Sequence, residues 1–412
     1  MKYVVWGAGA HARMLMDNFS GLEDCVEVFL DREYDKKMGD IPVVYPHKWK
    51  DFQNYYVVIC VKNGFSEIYN ELIFRFKCKK ENIISSHEWI CKLLIERKIR
   101  LYPKMVRLET CTLCQLDCTY CYMRTGNYGT IGKGYLKFKE FERFINKNPQ
   151  INKIEISNNG EVFLNPDLEK ILLLANDRNI EISIGNGTNF NTVSDQMLEL
   201  LVKTGVSFLN ISIDGASQRI YSMYRRNGDF NKVISNLKKL NVCKEKYNSE
   251  YPVLQWQYVL MQHNECDIEK ASKLAKELNM NIFYKYECVK GKFDPVDRKK
   301  LENITGLKYF SVEEYNACHE ETYGIGMCYD AIFSPQINYD GRLLGCCMLW
   351  HEDFGMNVFE EGLEETLNSP KYIQMICLLL GAISMDELTE DIPCTHCEMC
   401  GRNIRNKKFL YL

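Results

Sequence analysis

The sequence predicts an α/β protein built around an incomplete parallel (β/α)6 barrel, with a small α/β domain before it and a small irregular domain after it. Three observations carry this. Short apolar runs rich in Val, Ile and Tyr alternate with helical stretches through most of the chain, the pattern of parallel strands joined by helices. The alternation fails after about Gly291. Eight of the nineteen cysteines lie beyond that point, so the last segment is expected to be organised by bound metal more than by an apolar core. A chain of 412 residues is also long for one core, and two or three are expected.

Residues 1–90 are expected to form the first domain. Strands are predicted at "KYVVWG", "VEVFLD", "IPVVYP" and "YYVVICV", and helices at "HARMLMDNF" and "SEIYNELIFRFK". The first strand runs into Gly7-Ala8-Gly9-Ala10-His11-Ala12, a G-x-G-x-x-A turn, and Asp31 closes the second strand about where a ribose-binding acid belongs. In that pattern the glycines let the backbone approach a pyrophosphate at the next helix N-terminus. The competing reading is a tight strand-to-helix turn in which Asp31 merely ends a strand. The run "HEWICKLLIERKIRLYPKM" reads as a linking helix, with 91–103 as the linker.

Residues 104–290 carry six strand runs: "MVRLET", "KIEISN", "EISIGNG", "FLNISID", "LQWQYVLM" and "NIFYKYECV". Between them lie the helical runs "KFKEFERFINK", "PDLEKILLLAND", "SDQMLELLVKTG", "SQRIYSMYRR" continuing to "KVISNLKKL", and "IEKASKLAKEL". In barrels of this kind chemistry gathers at the C-terminal ends of the strands. Residues 291–412 are the irregular tail.

A formal net charge of -3 with scattered basic residues argues against a nucleic-acid or anionic-membrane surface. The first residues lack the apolar core of a signal peptide, and no later run reaches a spanning length, so a cytoplasmic protein is expected. In a reducing compartment clustered cysteines bind metal more readily than they pair as disulfides. The isolated ones, Cys60, Cys78, Cys243 and Cys288, are expected to be small buried hydrophobes.

The densest cluster is "ETCTLCQLDCTYCYMR", where Cys111, Cys114, Cys118 and Cys121 fall within eleven residues, directly after the first barrel strand. Three thiolates on one loop can hold three irons of a [4Fe-4S] cluster and leave the fourth open. A zinc site using Cys111 as fourth ligand is the alternative, but a barrel mouth is a place for a cofactor. These residues resemble the radical S-adenosylmethionine (SAM) enzymes, whose C-x3-C-x-aromatic-C motif matches Cys114, Cys118, Tyr120 and Cys121. The resemblance implies a [4Fe-4S] cluster whose open iron is chelated by S-adenosylmethionine. Its reductive cleavage gives a 5'-deoxyadenosyl radical that abstracts hydrogen from an unactivated carbon. It also implies Tyr120 next to the adenine and Asn159-Gly160-Glu161 as the G-G-E element, with Glu161 taking the methionine ammonium. Ser212 would contact the ribose and Arg225 or Arg226 the carboxylate, with Asn186 and Gln257 as cofactor neighbours.

In the tail, "CYDAIFSPQINYDGRLLGCCMLW" and "CTHCEMC" place Cys328, Gly341 and Cys346, then Cys394, Cys397 and Cys400. A hairpin turning at Asp340-Gly341 would bring Cys328 towards Cys346, and the later C-x2-C would complete a four-thiolate site. A zinc ribbon is the alternative. The segment resembles SPASM and twitch domains, which implies one auxiliary [4Fe-4S] cluster on Cys328, Cys346, Cys394 and Cys397. Cys347 competes with Cys346, and Cys400 with either late ligand. The first domain resembles Rossmann-like domains attached to sugar acyltransferases, which implies a nucleotide or nucleotide-sugar at Gly7, Gly9 and Asp31.

Together these resemblances lead to a small-molecule substrate, a carbohydrate, cyclitol or nucleotide sugar, undergoing alcohol oxidation or epimerisation. An electron donor such as flavodoxin or ferredoxin is implied. Peptide maturation is the competing enzymatic expectation, and a non-catalytic iron-sulfur or zinc protein with a nucleotide-sensing domain is the third. Tyr122, Lys285, Tyr286 and Glu287 lie near strand or loop ends and are further candidates for substrate contact.

Overall fold

The computed structural model describes residues 2–33, 37–125, 129–286, 295–319, 323–397, 400, 401 and 404. Contacts divide the chain into two compact units. The first joins Met1–Lys104, Ile325–Ser334 and Glu361–Leu412, and the second joins Met105–Gly324 and Pro335–Glu360. The sequence groups 291–412 as one tail, whereas the contacts give its middle, 335–360, to the barrel unit and most of its last part to the N-terminal unit.

In the first unit the elements run β1 Tyr3–Trp6, α1 Ala10–Asn18, β2 Phe19–Ser20, β3 Val26–Leu30, β4 Val43–Val44, β5 Tyr56–Ile59, α2 Phe65–Asn70, β6 Ile83–Ser85, α3 Ser86–Ile95 and β7 Arg100–Leu101. The sheet has the order β4-β3-β1-β5-β6 and every pairing in it is parallel. All four residues of central β1 are buried, as a strand covered by helices on both faces requires. Val4, Trp6, Val28, Leu30, Val57 and Ile59 meet in one core with Phe52 and Leu72. The short β6 escapes sequence reading because three residues carry no period.

The predicted linking helix is packed into this unit. Ser85 and Glu88 form a capping box at the start of α3, satisfying two donors that a helix start leaves open. Trp89, Ile90, Leu93 and Leu94 are all but inaccessible to solvent, and the helix Pro370–Leu379 packs on α3 within the same unit. A solvent-spanning linker does not bury four large apolar side chains. Further along, Asn368 clamps β7, its Oδ1 accepting from Leu101 N at 2.7 Å and its Nδ2 donating to Leu101 O at 3.0 Å.

The second unit contains all six predicted strands. Its elements are β8 Met105–Leu108, α4 Phe138–Lys147, β9 Lys153–Glu155, α5 Leu168–Asp177, β10 Glu181–Thr188, α6 Asp195–Lys203, β11 Phe208–Ser212, α7 Gln218–Tyr224, α8 Phe230–Lys246, β12 Val253–Leu260, α9 Ile268–Glu277 and β13 Asn281–Tyr286. The strands from β8 to β13 pair in sequential parallel order, with helices between them. The single helix expected over "SQRIYSMYRR" and "KVISNLKKL" is two, because Asn227 takes a positive φ of 64° and Asp229 caps α8 through Lys232 N.

The expected hairpin forms, as β14 Gln336–Ile337 and β15 Leu343–Gly345. Gly341 turns it at φ +90°, where a side chain would be strained and a Cβ would strike Asn357. What the sequence does not reveal is that β14 pairs parallel with β8, extending the barrel sheet to eight strands. No helix among the described residues is long and apolar enough to cross a membrane.

Candidate functional site

The three-thiol loop leaves the C-terminal end of β8. Cys111 is fully buried and held by a bridge to Tyr135, with its thiol towards Leu113 O. It belongs to the buried interior of the unit. Cys114 is exposed, Cys118 buried and Cys121 half-buried. Each of the first two meets a side chain from further along the barrel: Asn189 Nδ2, just after β10, donates to Cys114 Sγ at 3.7 Å, and Arg225 Nη1, at the end of α7, to Cys118 Sγ at 3.8 Å. Cys121 N donates to Cys118 O at 3.2 Å, closing the turn. Among the described residues no three His, Cys, Asp or Glu converge tightly enough to hold one metal ion. A cube of four irons makes no such demand, since each thiolate binds a different iron.

The next strand end supplies a buried acid. Glu161 is inaccessible to solvent, and its carboxylate accepts from the Thr188 hydroxyl and, at 2.7 Å, from Asn189 N. Burial pushes its pKa up to about 7 against these hydrogen bonds and the positive charge of Arg225. Gly160 before it sits at φ +64°, where a Cβ would lie 2.5 Å from Cys111 O, so glycine is required for the loop to pass over the thiol loop. Glu161 N donates to Leu113 O at 2.7 Å, tying the two together.

The remaining predicted residues follow around the barrel. Asn186 on β10 donates its side-chain amide to Asn158, and its backbone N donates to Ser157 Oγ at 3.2 Å. Ser212 on β11 accepts from Gln257 Nε2 of β12 at 3.2 Å. Arg225 Nε donates to the fully buried Asp214 at 2.6 Å, and its guanidinium lies 4.9 Å from the Tyr224 ring centre. Of the two candidate arginines it is therefore Arg225 that turns inward, while Arg226 is exposed. Tyr120 is 47% exposed and its ring lies 6.0 Å from that of Tyr224.

Sequence reading missed two participants. Glu109, at the end of β8, is buried and accepts from Asn159 N at 2.7 Å and Asn159 Nδ2 at 2.9 Å. Burial pushes its pKa up to about 8. Its signal, an acid directly after an alternating strand, is visible in "MVRLET" but is shared by many strand ends. The other is Trp350, which stacks on Tyr122 at 4.3 Å and 19°, while the Tyr122 hydroxyl donates to Asn159. No local pattern links positions so far apart. Glu287 and Cys288, and the side chain of Tyr286, lie outside the described residues.

In the first unit, Gly7 is at φ +119°, and a Cβ there would strike Cys60 O, so this glycine serves the strand-to-helix turn. A Cβ on Gly9 would meet open space. Asp31 Oδ2 accepts from Ala8 N at 2.8 Å and Oδ1 from Glu33 N at 2.9 Å, so the acid stands beside the glycine turn and braces it. Cys328, Cys394, Cys397 and Cys400 are all buried in this unit, with the sulfurs of Cys328 and Cys400 2.8 Å apart. Cys346 and Cys347 belong to the second unit.

Residues 108–249 match the Radical SAM superfamily. The chain is 26% identical over 189 residues to the AdoMet-dependent heme synthase of Methanosarcina barkeri, which covers 45% of this chain and 51% of that protein. It is 26% identical over 136 residues to the GTP 3',8-cyclase of Clostridium botulinum, covering 32% and 42% of the two. The chain thus spans about half the length of the curated relatives it matches or less. The structure of Streptococcus suis SuiB bound to S-adenosylmethionine has a similar fold, with a TM-score of 0.53 at 15% identity over 82% of each chain. Residues 108–249 are thus similar to radical SAM domains, a family that implies a [4Fe-4S] cluster and S-adenosylmethionine.

Proposed function

We propose that the chain is a radical SAM enzyme that removes hydrogen from a carbohydrate, cyclitol or nucleotide sugar, so oxidising an alcohol or inverting a stereocentre. The observation that carries the cofactor half of this reading is the buried carboxylate of Glu161 beside the three-thiol loop. Burying a carboxylate is costly even with the positive charge of Arg225 acting on it, and burial holds the Glu161 pKa up at about 7. A ligand ammonium placed against Glu161 would remove that cost. The residues therefore fit an amino-acid-bearing cofactor as well as a cluster.

Cys114, Cys118 and Cys121 would hold the cluster. When bound, cluster and S-adenosylmethionine together supply a carbon radical able to take hydrogen from an unactivated C–H bond. The chain's own residues do the positioning. Glu161, fixed by Thr188 and Asn189, would hold the ammonium, and Arg225, fixed by Asp214, the carboxylate. Ser212 and Gln257, already hydrogen-bonded to each other, offer polar groups to a ribose. Tyr120 offers a flat face to a base, and Asn186 a polar edge.

The substrate half rests on the first unit. Its parallel sheet places Gly7, open Gly9 and Asp31 at one turn, the arrangement that suits a nucleotide's phosphates and ribose. An auxiliary [4Fe-4S] cluster drawing on Cys328, Cys394 and Cys397 would carry off the electron when an alcohol is oxidised. Cys346 is the fourth ligand that the spacing suggests, and Cys400 the thiol that stands beside Cys328. The test uses anaerobically reconstituted protein with S-adenosylmethionine, a reductant and a panel of deuterated nucleotide sugars, following 5'-deoxyadenosine by mass spectrometry. Deuterium in the deoxyadenosine with one sugar supports the reading. Slow deoxyadenosine release that no sugar accelerates refutes the sugar substrate and favours a peptide.

A further inference from the structure

We propose that the surface over the three-thiol loop, centred on Met223 and rimmed by Arg124, Arg219 and Arg226, is the docking site of an acidic one-electron donor protein. The proposal rests on the radical SAM reading above. Such a reaction takes electrons one at a time, and the donor must come close to the cluster ligands.

The thiol loop and the end of α7 are joined edge to edge. Asp117 N donates to Arg226 O at 3.1 Å, Thr119 N to Tyr224 O at 3.2 Å, and Thr119 Oγ1 to Met223 O at 3.2 Å. Residues 223–226 therefore form the layer immediately outside Cys118 and Cys121. Within that layer Arg225 turns inward and reaches Cys118 Sγ at 3.8 Å, so one residue separates the exposed surface from a ligand thiol.

The outward side of the layer has the make-up of an interface. Met223 is 48% and Tyr120 47% exposed. Arg219 lies one helical turn before Met223, on the same face of α7, and Arg219, Arg226 and Arg124 are all exposed. Asp117 offsets one of them, paired with Arg124 Nε at 2.7 Å. Methionine, aromatic and arginine side chains are the types enriched where proteins meet. Three arginines against one acid select a negatively charged partner and speed its encounter.

The test compares the unaltered protein with an Arg219→Glu, Arg226→Glu double variant and with Met223→Ser. Each is cluster-reconstituted and supplied with S-adenosylmethionine. One arm is reduced by flavodoxin and its reductase, the other by dithionite, which needs no docking surface. The double variant should lose about tenfold or more of the flavodoxin-driven deoxyadenosine rate while keeping the dithionite-driven rate within about twofold. Calorimetry should show flavodoxin binding the unaltered protein more weakly as salt rises, and binding the variants more weakly still. Unchanged flavodoxin affinity, or equal losses under both reductants, would overturn the docking site. An unaltered protein that makes no deoxyadenosine with either reductant would overturn the radical reading itself, and the docking proposal with it.

Discussion

Glu161→Gln separates what the buried charge does for the cofactor from what it costs the fold. The amide fits the same frame: its oxygen can accept from Asn189 N and its NH2 can donate to Thr188 Oγ1, so shape and hydrogen bonding are kept. Only the charge is lost. A charge-assisted hydrogen bond is worth about 2 kcal/mol, which corresponds to a roughly thirtyfold weaker Kd for S-adenosylmethionine. Stability should move the other way. With a folded pKa of about 7 against an ordinary value of 4.5, the group destabilises the unliganded protein progressively as pH rises from the lower value through the higher one. The shift sets an upper bound of about 3 kcal/mol on that cost. Thermal unfolding should therefore show parent and variant matching near pH 4.5 and the variant gaining a few degrees by pH 8. In calorimetry at pH 8 on the reconstituted protein, an unchanged Kd would refute the assignment of Glu161 to the cofactor ammonium, whatever the melting curves show.

The parent's affinity for S-adenosylmethionine should weaken below pH 7, by up to about tenfold per unit as Glu161 takes up a proton, and the Gln variant should lack this dependence. Cys114→Ala, Cys118→Ala and Cys121→Ala should each abolish deoxyadenosine formation, whereas Cys111→Ala should retain it and lose about 1 kcal/mol of stability in denaturant titration. Gly160→Ala forces a side chain onto a backbone at φ +64° against Cys111 O, so it should cost at least about 1 kcal/mol and raise the cofactor Kd by displacing Glu161. Iron analysis of Cys400→Ala beside Cys346→Ala should identify the fourth auxiliary ligand, the variant that drops about four irons per chain being the one that removes it.

The barrel was legible because its strands are long enough to show alternation and its helices long enough to show amphipathic period. The thiol loop is legible because its three cysteines sit close in sequence. Legibility failed where contacts are made over distance. The run "HEWICKLLIERKIRLYPKM" reads as a linking helix, yet its apolar first half packs against the helix Pro370–Leu379, a contact that no local pattern can reveal. The pairing of β14 with β8 joins residues more than two hundred positions apart, and two-residue strands have no period to read.

Glu109 makes the same point inside the site. The sequence singled out the acid that belongs to a motif, Glu161, and passed over the acid that belongs to none. Yet both are buried and both are pushed towards the neutral form, and Glu109 grips Asn159 by its backbone N and its side-chain amide, two residues before Glu161. Asn159 stands where the resembled motif has glycine, and a glycine could offer only the backbone N–H. The departure from the motif is thus matched by an acid one strand away that uses the extra amide, and Asn159 in turn accepts from Tyr122, which stacks on Trp350. The substitution that looks like drift in a one-dimensional reading is, in three dimensions, the link through which the first strand, the thiol loop and the hairpin segment hold the Glu161 loop in place.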